Sequence, residues 1–231
     1  MFESKYSKVL TIVLVIVIVA IVLLLGFLAF DYIKKFTTTK QASDFVEDYQ
    51  GDITTGNEDT GNSTEIEENI TLNNNEIEIN NTGTNSSGTS NSNKKKTYKG
   101  FTVVGTMKIP TINLEYPILE EISTKSLETA LVALYPSGDN INLPGNTVVI
   151  GHNYRNGTLF SNLKKLSNGA KIYVTDFRGK SITYQVYNKF EASESDTSFY
   201  TRDTNGLAEL TLSTCTDASN DQRTIIFAKQ I

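Results

Sequence analysis

Val9 to Phe30 is a run of 22 residues without a charged side chain, built almost wholly from Val, Ile, Leu, Ala and Phe. A segment that is apolar on every side must be enclosed in a large core or sit in lipid. As a helix rising ~1.5 Å per residue it spans roughly 33 Å, enough to cross the hydrocarbon core of a bilayer. A cleaved secretion signal has a shorter apolar stretch and a small-x-small site after it, and Gly26-Phe27-Leu28-Ala29-Phe30 is a poor match. The expectation is an uncleaved transmembrane signal-anchor over 9–30, in contact with membrane lipid, with residues 1–8 forming a cytoplasmic N-terminus. Lys5 and Lys8 on one side are matched by Lys34, Lys35 and Lys40 on the other, so the positive-inside rule does not orient it.

The chain then changes character. Gln41 to Asn93 contains no Lys or Arg and carries 11 of the 26 acidic residues among Asn, Thr, Ser and Gly. Too little apolar area is available there to offset the entropy of ordering the backbone. Residues 31–97 therefore read as a disordered, polar and acidic stalk. Much of the net charge of −5 belongs to it, and nothing in that balance supports a nucleic-acid partner.

From Tyr98 onward short β-type runs alternate with turn residues, and 98–231 reads as the folded domain. Thr102–Ile109 and Leu114–Leu119 are predicted strands, with Pro110 stopping the first and Pro117 marking an edge or bulge in the second. Ser123-Thr124 opens a predicted helix with Leu127, Ala130, Leu131 and Leu134 at helical spacing. Asn146–Gly151 is a short apolar strand, and Leu159, Leu163 and Leu166 suggest a turn of helix. Lys171–Asp176 and Lys180–Val186 flank Phe177-Arg178-Gly179 as a hairpin. Asn188–Asn205 reads as a long polar loop of the kind that carries function. Leu207–Cys215 and Thr224–Lys229 are the last strands. The fold class is mainly β: about eight short strands and two brief helices in a mostly antiparallel barrel or sandwich.

One cysteine and one histidine occur in the chain. A disulfide framework within the chain is excluded, and a Cys/His zinc site lacks ligands. A lone cysteine is in most domains a small buried hydrophobe, so its company matters. Cys215 ends one predicted strand, Arg223 opens the next, and His152 follows Val148-Val149-Ile150 with Gly151 between them. All three stand at strand ends, where a rigid sheet can aim a reactive group. A nearby cation raises the thiolate fraction of a thiol. An imidazolium can hand a proton to a departing amine, and a guanidinium can stabilise an oxyanion. Together they make a set for acyl transfer.

Thr211-Leu212-Ser213-Thr214-Cys215 resembles the T-L-x-T-C signature of sortases, the Gram-positive cell-surface transpeptidases. Arg223 matches the arginine that opens the family's following strand. Gly151-His152-Asn153, continued by Asn156-Gly157-Thr158-Leu159-Phe160, resembles its histidine segment. The resemblance covers about Thr102 onward. It implies a closed eight-stranded β-barrel with one or two short helices, here preceded by a single transmembrane helix and a stalk. It also implies cleavage of a C-terminal sorting signal (LPxTG-like) of secreted proteins through a thioester, with transfer to an amine of a peptidoglycan precursor or a pilin. Cys215 would be the nucleophile, His152 the acid and then base, and Arg223 the oxyanion or substrate-positioning group. Thr214, Ser213 and Asn153 would contact substrate. The wording around His152 and Cys215 is class B-like, but Asn188–Asn205 is too short for that class's helical insertion, which leaves a class D-like enzyme as the other reading. No cofactor is required. Glu191, Glu194 and Asp196 offer oxygen ligands for calcium, as some members use near this loop. Two other functions fit the residues alone: a stalked surface-binding or adhesion module without catalysis, and a secreted cysteine hydrolase. The implied location is the cell membrane, single-pass, with the catalytic domain outside.

Overall fold

The computed structural model describes residues 3–55, 95–136, 140–217 and 221–231. The first element is one helix, α1 (Glu3–Thr55). Its apolar part is exposed along its whole length, which makes it a candidate membrane anchor. The expected stalk does not begin at residue 31. The helix runs on through Asp31–Thr55, and Ala42, Val46 and Tyr49 are buried against the barrel, with Phe45 packed beside them. The acidic composition hid this. Ala42, Phe45, Val46 and Tyr49 recur at spacings of three and four and form one narrow apolar stripe, while Asp44, Glu47 and Asp48 take the outer face. The rest of the expected stalk, 56–94, lies outside the described residues.

The remaining chain forms β1 (Thr97–Tyr98), β2 (Phe101–Ile109), β3 (Leu114–Leu119), α2 (Thr124–Thr129), β4 (Leu131–Tyr135), β5 (Gly145–Ile150), β6 (Lys171–Asp176), β7 (Ser181–Ser193), β8 (Ala208–Cys215) and β9 (Gln222–Gln230). The strand order is β1-β2-β3-β4-β5-β8-β9-β7-β6, and β2 also pairs with β6. That last pairing closes β2–β9 into an eight-stranded barrel, with the two-residue β1 pairing antiparallel with the start of β2. Closure leaves no free edge in the barrel. Most pairings are antiparallel, while β3–β4 and β5–β8 are parallel. Val104, Met107, Ile118, Leu131, Val149, Ile172, Leu212 and Ile226 fill the interior.

Two expected elements differ. The helix begun at Ser123 stops at Thr129, and Leu131-Val132-Ala133-Leu134-Tyr135 is the strand β4. Helical spacing of its leucines was outweighed by a place between β3 and β5, where Leu131 pairs with Ile118 of β3, Val132 pairs with both strands, and both residues are buried. The loop expected from Asn188 begins only after Ser193. Residues 188–193 continue β7 past a bulge and pair with β9. Polar residues are tolerated there because alternate positions face solvent.

Candidate active site

Three strands set the site. β8 lies between β5 and β9. In the antiparallel β8–β9 ladder Cys215 is the register partner of Arg223. In the parallel β5–β8 ladder Ile150 faces Ser213, so two residues further along, His152 leaves the barrel at the level of Cys215. Sulfur, imidazole and guanidinium thus share one end of three adjacent strands. All three residues are half-buried.

The His152 turn is held locally. Gly151 N–H donates to Ser213 O at 3.3 Å, and Thr214 Oγ1 donates to Gly151 O at 2.7 Å. A Cβ on Gly151 would lie 2.7 Å from the Leu131 side chain and 2.9 Å from the Phe160 ring, so only glycine fits between them. Phe160 N–H donates to His152 O at 3.0 Å, and an isolated bridge joins Asn153 to Leu159. Arg155 and Leu159 both take left-handed backbone angles, φ 55 and 47, which cost of order 1 kcal/mol each and persist because these bonds over-determine the turn. The His152 ring stacks on Tyr154, with centroids 4.9 Å apart at 35°. Burial, with the Glu128 carboxylate adding to it, pushes the Tyr154 hydroxyl above its ordinary pKa.

The turn is also tied to the cysteine. Asn153 Nδ2 donates to Cys215 O at 3.0 Å and to Asp217 Oδ1 at 2.8 Å, while its Oδ1 accepts from Arg155 N–H. Arg155 reaches Asp217 O and Thr216 O, and Lys164 pairs with Asp217. The segment after Cys215 is thereby fixed to the segment after His152. Arg155, Asp217 and Lys164 were not singled out in the sequence. Arg155 lies inside the histidine segment, but nothing in its spacing shows that it folds back over Thr216.

Asn153 is thus beside the cysteine, while Thr214 and Ser213 are buried. Thr214 spends its hydroxyl on the strand that carries His152. Of the three carboxylates considered for calcium, Glu194 accepts from Arg223 at 3.0 Å, and Asp196 accepts from Ser198, which holds its carboxyl below the usual pKa. Glu191 sits in β7 opposite Thr224. Among the described residues no cluster of three or more His, Cys, Asp or Glu forms that could hold a metal ion. The loop from Glu194 to Leu207 is pinned rather than free. Asn146 Nδ2 donates to Phe199 O and Tyr200 O, and Arg202 pairs with Glu209 at 2.6 Å and lies 4.0 Å over the Phe227 ring.

The family model described as the Sortase domain matches residues 107–231, more than half of the chain. The chain belongs to the sortase family. Sortase A of Bacillus anthracis is 28% identical over 133 residues, covering 54% of this chain and 58% of that protein. Among solved structures, sortase A from Corynebacterium diphtheriae superposes with a TM-score of 0.52 at 30% identity, covering 57% of this chain and 61% of the other. A sortase D5 transpeptidase from Clostridium perfringens superposes at 0.50 with 25% identity, covering 56% and 79%. This sortase spans little more than half the length of the curated relatives it matches. These two neighbours carry different class letters, A and D.

Proposed function

We propose that this chain is a membrane-anchored cysteine transpeptidase that cuts a C-terminal sorting signal and joins the new acyl end to an amine. The Cys215 thiolate attacks the scissile carbonyl, and the Arg223 guanidinium stabilises the oxyanion. His152 as imidazolium gives its proton to the departing amine, which leaves a thioester on sulfur. The neutral imidazole then takes a proton from the incoming amine as that nitrogen displaces the sulfur, restoring the thiolate and the imidazolium. An LPxTG-like signal is the proposed donor, and an amine of a peptidoglycan precursor or pilin is the proposed acceptor. The chemistry is complete without a metal. Helix α1 supplies the anchor, since among the described residues one helix is long and apolar enough to cross a membrane.

The observation that carries this reading is the meeting of three chain segments at one barrel end: Cys215 opposite Arg223, and the His152 turn bonded to the cysteine's own carbonyl. An adhesion module has no use for that arrangement. The test is to incubate the full chain in detergent with sorting-signal peptides and amines and to read products by mass spectrometry. A mass increase on Cys215 by the acyl fragment, and diversion of product from acid to amide as amine is added, are expected. Cys215→Ala should remove both. Acid alone at every amine concentration would replace transfer by hydrolysis, and no adduct with any peptide would sink the catalytic reading.

A further inference from the structure

The order in which the barrel contacts α1 gives its posture. Asp31, Tyr32, Lys34, Lys35 and Thr38 face Glu128 of α2 and Tyr154, Asn156 and Thr158 of the His152 turn across a cleft of about 570 Å³. One turn higher, Thr39 meets Tyr116, and Ser43 donates to Glu115. Higher still, Tyr49 is buried, and Gln50 lines a hollow with Tyr173 and Thr183 of the β6–β7 hairpin. The barrel therefore lies along the helix with its His152 end toward the apolar run and its β6–β7 hairpin away from it.

The helix also gives a scale. The apolar run stops at Phe30. Asp31 to Thr38 lie one to eight residues beyond it, roughly 1.5–12 Å at 1.5 Å per residue. The headgroup layer is about 5–8 Å deep on each side of the hydrocarbon core. Gln50 stands roughly 30 Å out by the same measure. The cleft thus opens within or just above the headgroups, and the hairpin stands clear of them. Its lining suits that layer. Tyr32 and Tyr154 are exposed aromatic rings with polar tips, Lys34 and Lys35 can reach lipid phosphates, and Asp31 and Glu128 can meet headgroup ammonium groups.

We propose that the barrel end bearing the His152 turn rests on the membrane, with phospholipid headgroups occupying the cleft between α1 and residues Glu128, Tyr154 and Asn156. This rests on the proposal that α1 crosses the membrane, and it does not depend on catalysis. The active site then faces the lipid surface from a fixed, short distance, and substrates arrive along the bilayer rather than from above. The test uses the full chain with Cys215→Ala, in nanodiscs containing lipids that carry a quencher on the headgroup. A fluorophore is placed by Glu128→Cys in one protein and by Tyr173→Cys in another. Strong quenching at 128, at least about fivefold above that at 173, is expected. Inserting fourteen helix-forming residues between Phe30 and Asp31 lifts the barrel by about 21 Å and should bring the signal at 128 down close to that at 173. Equal, weak quenching at both sites in protein that has entered the nanodisc would overturn the posture while leaving the anchor intact. Failure to enter the nanodisc at all would instead overturn the anchor reading, and the posture with it.

Discussion

Asn153→Ala should separate the placing of the nucleophile from its chemistry. The substitution removes two donated hydrogen bonds, to Cys215 O at 3.0 Å and Asp217 Oδ1 at 2.8 Å, and the acceptor used by Arg155 N–H. Two of the three lie at exposed positions, where water can replace them, so only the bond to Cys215 O and part of the bond to Asp217 should count in full. At about 1 kcal/mol for a neutral bond, and somewhat less for the exposed pair, the loss is ~1.5–2 kcal/mol. For a folded part of this size that lowers Tm by roughly 4–8 °C. The effect on rate should be larger than the effect on stability suggests. Without Asn153 the described bonds from the His152 turn to the segment after Cys215 are those of Arg155, and a displacement of about 1 Å between reacting groups can cost on the order of 100-fold. The expected result is a fall of 10- to 100-fold in single-turnover acylation, with thiol alkylation by a small electrophile nearly unchanged. Asn153→Asp should be no better, because it sets a carboxylate against the Cys215 carbonyl and Asp217. The assay is acyl-enzyme mass against time at saturating peptide. Wild-type acylation in a folded Asn153→Ala protein would refute the reasoning and leave this side chain as a mere loop brace.

Tyr49→Ala removes a fully buried ring that contacts Phe45 and lies under Lys96. It should cost ~3 kcal/mol or more, and trypsin should then cut at Lys34, Lys35 or Lys40; unchanged Tm and protease resistance would show that α1 does not need its dock. Glu194→Gln removes the partner of Arg223 in a pair that is half open to water, so stability should change by less than about 1 kcal/mol. Steady-state kinetics should show KM lowered up to about fivefold as the guanidinium is released to substrate, and a tenfold loss of kcat/KM would instead make Glu194 its positioning group. Burial pushes Tyr98 up to about 12 from its ordinary 10.0, and it raises Tyr49 and Tyr184 as well. These groups favour the neutral form when folded, so their contribution is whole below pH 10 and is lost as pH rises through the folded values. Tm against pH, with tyrosinate absorbance recorded alongside, should fall only above that point; a fall already under way at neutral pH would assign the loss to other groups.

The strand ends that matter were legible because each carries a local mark: an apolar run broken by His152, a strand closing on Cys215, and another opening at Arg223. Alternation, β-branched residues and turn residues placed most strands, and the hairpin at Phe177-Arg178-Gly179 needed no long-range information. What failed was decided by partners far away in the chain. Leu131 and Val132 look helical until β3 and β5 are set on either side of them. Phe45, Val46 and Tyr49 look stranded among acids until the barrel wall supplies their other half. The bonds from Asn153 and Arg155 to Cys215, Thr216 and Asp217 span more than sixty residues, a distance over which spacing carries no signal. Glu194 was weighed as a metal ligand because a carboxylate in a loop has two ordinary uses, and only the β7–β9 register shows that Arg223 has taken it.

The position of β8 and β9 in the sheet order has a consequence for biosynthesis. They follow β7 in the sequence, yet they sit between β5 and β7, which are made before them. A nascent chain that has completed β7 therefore holds a barrel with a gap two strands wide and two unpaired edges, the kind of surface that proteases and aggregation act on. The hairpin that fills the gap is also the one that carries the thiol and the guanidinium. Closure of the wall and delivery of Cys215 are thus one event, so a chain arrested before residue 208 is recognisable as unfinished and lacks that thiol.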